Sequence, residues 1–170
     1  MKYAILYSSK TGNTKKVAEA IKLALKNHEC IACDDKFSIE CLNADIIFLG
    51  SWTDKGTCSD EMKQFYAKLS NQKIALFGTA GFGGNKEYYE NLAKRSIQLL
   101  PETCHVLGSF YCQGKMPDVV KNRYVAMLRE HPDDTNLQVS IENFEQAKNH
   151  PDQEDIKKAQ MFAFKMIELR

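Results

Sequence analysis

Between the first apolar run of the chain and its first helical pattern stands Ser8-Ser9-Lys10-Thr11-Gly12-Asn13-Thr14, whose residue types suit the holding of a phosphate. A helix N-terminus presents unsatisfied N–H groups and roughly half a positive charge, so it binds an anion unaided. Ser9, Thr11 and Thr14 add hydroxyl donors, and Gly12 admits close backbone approach, with Lys10 and Asn13 between them. Each hydrogen bond to a charged phosphate oxygen contributes about 1.5–3 kcal/mol. Ser, Thr, Asn and Gly are also common loop and capping residues, so the alternatives that residue type excludes matter. A Gly-x-x-x-x-Gly-Lys-Ser/Thr nucleotide loop fails because Lys10 precedes the glycine. A Gly-x-Gly-x-x-Gly fingerprint begins at Gly81-Phe82-Gly83 but meets Lys86 in place of its third glycine. No cysteine stands in the first loop as a phosphatase nucleophile, and Ser51 and Trp52 fill the place of a phospho-receiver carboxylate. The expectation is a loop that holds a phosphate and does no chemistry on it.

Two more loops have unusual composition. Gly50 to Cys58 contains the only tryptophan, Trp52, beside Thr53 and among polar neighbours, which suits a ligand-facing or surface position better than a core one. The stretch Gly78-Thr79-Ala80-Gly81-Phe82-Gly83-Gly84 has four glycines in seven residues. Each costs backbone entropy, so their use lies in letting backbone N–H groups approach a ligand, the alternative being a mobile surface loop.

Placing these loops requires a βαβ alternation. Strands are expected at Tyr3–Ser8, Glu29–Ala32, Asp45–Ser51, Lys73–Thr79 and Cys104–Cys112, several of them near-continuous apolar runs as in buried parallel sheets. Helical periodicity predicts helices at about Thr14–Asn27, Asp60–Leu69 and Lys86–Leu100, and a last one from Pro151-Asp152. All three loops then fall at the carboxyl ends of parallel strands, where such folds bind ligands. Residues 113–150 exceed what the alternation needs. Met116 to Glu130 looks helical, Ile141 to Lys148 suits a helical turn or two, and the segment is expected to be an insertion with a packing or partner role.

Composition narrows the classes further. The 170 residues, 44% hydrophobic and 26% charged with mean hydropathy -0.43, suit one globular domain spanning 1–170. A formal net charge of +1 argues against a nucleic-acid partner, and no run approaches the ~20 apolar residues of a membrane helix. Six scattered cysteines and the absence of an export signal predict a reduced, cytoplasmic setting. Cys30-x-x-Cys33 has no second metal-ligand pair, the four histidines share no useful spacing, and neither a metal site nor a catalytic acid, base or nucleophile is expected.

Ser9-Lys10-Thr11-Gly12-Asn13-Thr14 after an apolar strand is similar to the Thr/Ser-x-Thr-Gly-x-Thr phosphate loop of the flavodoxin family, a resemblance that covers about 1–112 and the last helix. It implies a three-layer α/β/α flavodoxin-like fold with a five-stranded parallel sheet. It also implies non-covalent FMN, with the phosphate on residues 9–14 and the ring between Trp52–Thr53 and Thr79–Gly84. Phe82 would cover the second ring face, with Tyr88 or Tyr89 as alternatives. In the family, a peptide of the Trp52 loop reverses toward the ring, and Gly56 is the residue that tolerates φ > 0. The implied function is electron transfer to redox partner proteins. The alternatives are an FMN-dependent reductase or oxidase acting directly on a small substrate, and a cofactor-free interaction module. A weaker resemblance is to single-domain flavodoxin-like proteins that accompany other reductases. Flavodoxins are typically strongly acidic, so a charge of +1 predicts partner association with weak salt dependence.

Overall fold

In the computed structural model of the chain, which describes residues 1–169, the N-terminal apolar run forms β1 (Lys2–Ser8), an interior strand of the sheet. It pairs in parallel with β2 (Glu29–Asp34) on one side and β3 (Ile46–Asp54) on the other. Beyond β3 follow β5 (Lys73–Ala80) and β6 (His105–Gln113), giving the order β2-β1-β3-β5-β6. These are the five expected parallel strands. A two-residue strand, β4 (Thr57–Cys58), folds back antiparallel on β3 and accounts for the extension of β3 past Ser51. The strand order reverses at β1 and β3, so a crevice opens above their carboxyl ends.

Alternation along β1 sorts the core. Tyr3, Ile5 and Tyr7 pack with Val17 and Ile21 of α1 (Asn13–Ala24) and with Phe162 and Met166 of α6 (Gln153–Glu168). Ala4 and Leu6 face the other layer, with Met62, Phe65 and Tyr66 of α2 (Asp60–Tyr66) and Ile97 of α3 (Lys86–Ile97). Helices α1, α2 and α3 stop about three residues before the apolar periodicity does. Bonds of the i→i+3 type (His28 N–H to Leu25 O, Leu69 N–H to Tyr66 O, Leu100 N–H to Ile97 O) tighten the ends while Leu25, Leu69 and Leu100 stay buried.

Two glycines let aromatic rings cross the sheet. Gly50 lies opposite Phe77 and Gly78 opposite Tyr111 in the strand register. A Cβ on Gly50 would stand 2.1 Å from the Phe77 ring, and one on Gly78 would stand 2.3 Å from the Tyr111 ring. The Tyr111 hydroxyl donates to Ser96 Oγ at 3.1 Å, and burial pushes its pKa up to about 12. A bulge in β2 at Tyr3/Ala4 carries that strand on to Asp34 and turns Cys30 and Cys33 toward the same layer.

Residues 113–150 form a helical hairpin. Its first arm, α4 (Asp118–Glu130), starts two residues later than predicted because Pro117 takes its N-cap position. The second arm, α5 (Thr135–Ala147), is a full helix of 13 residues where the sequence suggested a turn or two. Polar residues interleave its buried Leu137, Phe144 and Ala147, while Asp134 caps it by accepting from Asn136 and Leu137 N–H. Lys121 and Lys148 pair with Glu145 and lie over the Phe144 ring, joining the two arms. A buried polar knot fastens α5 to the sheet: Asn143 Nδ2 donates to Gly81 O at 3.0 Å and Gln113 Nε2 donates to Asn143 Oδ1 at 3.0 Å. Gln113 Nε2 also donates to Gly81 O at 3.1 Å, so Asn143→Leu removes one partner from each group but leaves that bond. It is expected to destabilise the fold by about 1 kcal/mol in a denaturant titration, whereas Asn143→Asp costs more, because it sets a buried carboxylate against the Gly81 carbonyl.

Candidate functional site

The loop Ser9–Gly12 brings the start of α1 to the crevice. Gly12 is its N-cap with φ 86, and no side chain caps the helix. The backbone N–H groups of its first turn are thus left open to a ligand, apart from Lys15 N–H, which donates to Ser9 Oγ at 3.2 Å. A Cβ on Gly12 would meet nothing within 4 Å, so the glycine serves the left-handed turn and an open approach. Thr11 is exposed, and its Oγ1 accepts from Asn13 Nδ2 at 2.9 Å. Thr14 is fully buried, its hydroxyl sharing a 2.9 Å hydrogen bond with that of Thr79, which ties the loop to β5.

A cavity of about 380 Å³ opens beside this loop. Lys10, Thr11, Asn13, Trp52, Thr53, Thr79, Ala80 and Gly81 line one side, which unites eight of the residues singled out in the sequence. The Lys10 ammonium lies 5.0 Å from the centroid of the half-buried Trp52 ring. The rest of the lining comes from the segment expected to be an insertion: Gly114 to Pro117 with Val119 and Val120, at the root of the helical hairpin. Met116 leans on Gly81, where a Cβ would stand 2.5 Å from its sulfur. Asn13 Nδ2 also donates to Lys115 O at 2.8 Å, so the first loop and the hairpin root are fastened together. One signal for this part of the lining was available. Gly114 directly follows the last strand, at the same sheet edge as the other loops.

Other expected residues stand apart. Phe82 is 40% exposed and outside the cavity, Gly83 packs on Gln113, and Gly84 borders a different hollow. Gly56 lies at the tip of the β3–β4 hairpin, where Lys55 (φ 48) and Gly56 (φ 81) make a two-residue turn beneath the Arg95 guanidinium. The different hollow, about 740 Å³, is larger. It runs along the free edge of β6 and mixes Lys86 and Lys158 with Glu90 and Asp155, but includes neither the first loop nor Trp52.

Burial pushes the Cys58 and Cys112 thiols up, so neither supplies a thiolate near neutral pH. His150, Asp152 and Asp155 cluster tightly, but as a helix cap: Asp152 accepts from Asp155 N–H, Asp155 accepts from Asp152 N–H, and His150 Nδ1 meets Asp155 at 2.6 Å. Among the described residues, no helix is long and apolar enough to cross a membrane.

The family model for the flavodoxin domain matches residues 4–164. A flavodoxin-like domain-containing protein BilS of Clostridioides difficile (strain CD3) is 38% identical, covering 98% of this chain and 97% of the relative. Among solved structures, a flavodoxin of Streptococcus pneumonia TIGR4 superposes with a TM-score of 0.62 at 16% identity, covering 99% of each chain. A flavoprotein from Lactobacillus acidophilus NCFM, in complex with FMN, gives 0.52 at 21% identity, covering 65% of this chain and 92% of that one. The two structures share the fold, and the matched domain and full-length relative go further: the chain belongs to the flavodoxin family.

Proposed function

We propose that the protein binds FMN non-covalently and carries electrons to a redox partner protein. The observation that carries this reading is the meeting, at the point where strand order reverses, of an uncapped helix N-terminus and a cavity walled by Trp52 and the hairpin root. The donor set fits the group. Open N–H groups, the Gly12 turn and the Thr11 hydroxyl suit a phosphate dianion, and a cavity whose lining includes Trp52, Met116, Val119 and Val120 suits a flat ring. The fold-mate in complex with FMN is consistent with it. When bound, the flavin supplies the electron chemistry, and the chain contributes binding, orientation and exclusion of water. The lining offers no histidine, carboxylate or thiol to move a substrate proton, which favours a carrier over an enzyme acting on its own substrate.

Because Trp52 is the only tryptophan, its fluorescence reports this one wall. FMN added to the apoprotein is expected to quench it with 1:1 stoichiometry and to colour the protein. A protein that stays colourless with unchanged emission removes both redox readings. Fast reoxidation by a protein acceptor with slow turnover of small acceptors separates the carrier from the direct reductase or oxidase.

The hairpin turn makes a smaller prediction. Valine at φ 81 costs about 1–2 kcal/mol of backbone strain. Gly56→Val is therefore expected to resist peptide reversal at the tip and to lower the half-reduced flavin several-fold in a stepwise reductive titration. Unchanged accumulation would remove Gly56 from that role.

A further inference from the structure

The cavity has an uneven charge. Lys10 and Lys115 both line it, and no aspartate or glutamate does among the described residues. No ion pair among those residues involves either lysine. The Lys10 side chain belongs to the phosphate loop but turns onto the Trp52 wall, 5.0 Å from the ring centroid. Lys115 is held from two sides, its N–H donating to His150 O at 2.9 Å and its carbonyl accepting from Asn13. The Lys10 ammonium is thus placed on the Trp52 wall, and the backbone of Lys115, a second lysine of the same lining, is held at the cavity, while backbone N–H groups serve an anion at the helix N-terminus.

We propose that Lys10 and Lys115 make this cavity hold the fully reduced, negatively charged flavin ring more tightly than the oxidised, neutral one, and thereby raise the potential of the second electron. This rests on the FMN reading above. An external one-electron reductant adds the second electron to a neutral, half-reduced ring. The product is an anion if no proton follows and a neutral ring if one proton is taken up with the electron. Nearby ammonium groups favour the anion by Coulomb attraction, several-fold for each exposed lysine and less at high salt. The preference for one redox state is linked reciprocally to the potential, and tenfold is about 59 mV for one electron.

The test uses FMN-loaded wild type, Lys10→Met, Lys115→Met and Lys10→Arg, titrated anaerobically with dithionite, together with the affinities of oxidised FMN and riboflavin. Each methionine variant is expected to lower the ratio of reduced to oxidised affinity about five- to tenfold, with a matching fall in the second midpoint. Arginine should restore it, and salt should shrink the gap. A ratio within twofold of wild type in both methionine variants overturns the proposal. So does an equal loss of FMN in both redox states with riboflavin unaffected, which assigns the ammonium to the phosphate. If wild type takes up no FMN, the FMN reading falls and this proposal with it, an outcome distinct from FMN uptake with an unmoved ratio.

Discussion

Thr11→Asp is expected to weaken FMN binding about a thousandfold while leaving riboflavin binding within about threefold of wild type. Thr11 is exposed at the N-terminus of α1, where Ser9 Oγ engages Lys15 N–H and the preceding backbone N–H groups stay open. A carboxylate there accepts from those groups itself and stands against the incoming phosphate. The lost hydrogen bond to a charged group is worth about 1.5–3 kcal/mol, and like-charge juxtaposition adds to it. A total of about 4 kcal/mol corresponds to the thousandfold loss. The same carboxylate suits the positive end of the helix, so the apoprotein should melt at or slightly above the wild-type temperature. That opposition separates the phosphate assignment from misfolding: a damaged loop would weaken both ligands and lower the melting temperature together. Fluorescence titration of Trp52 with each flavin, beside a thermal melt of the apoprotein, checks it. Equal losses for FMN and riboflavin would displace the phosphate from this loop.

The features legible in the sequence were those that chain-local physics writes down. β1, β3 and β5 are apolar runs because parallel strands are covered on both faces, and the three loops at their carboxyl ends follow from the alternation alone. Gly56 was identifiable as a left-handed position and has positive φ, as does Gly12, which the sequence marked only as a point of close backbone approach. Which residues of the inserted segment reach the cavity was not legible. Phe82 is the conspicuous aromatic of its loop, yet the residue that reaches the cavity is Met116, 34 positions on, because Gly81 leaves the space that its thioether fills. That choice is made by the path of the chain after β6, to which no local pattern points. Helix α5 escaped for a related reason. Its inward face is short and its anchor is polar, Asn143 on Gly81 O and Gln113, so hydrophobic periodicity under-reports it.

The sharpest conflict between local preference and packing lies at Gly50, where valine should be a better strand former than glycine and is expected instead to destabilise the protein by about 3 kcal/mol. Strand propensity and backbone entropy both favour the replacement, by up to about 1 kcal/mol each. Against them, a Cβ at Gly50 meets three atoms of the Phe77 ring at 2.1–2.7 Å, and Phe77 is 1% exposed in the core shared with Phe48 and Cys112. A buried aromatic ring cannot step aside without moving its neighbours, so overpacking outweighs propensity. In a chain of this size, about 3 kcal/mol lowers the melting temperature by roughly 10 °C. The pair also makes its own control. Phe77→Ala alone opens a cavity and costs about 3–5 kcal/mol, but valine at Gly50 refills part of that space. The double variant Gly50→Val/Phe77→Ala is therefore expected to be more stable than the sum of the singles by at least about 2 kcal/mol. Trp52 follows Gly50 by two residues on the same strand, so the single variant should also lose FMN affinity, and the double should recover part of it. Additive stabilities in the double variant would show that Phe77 does not hold Gly50 to glycine, and that the strand end bearing Trp52 is positioned by something other than this contact.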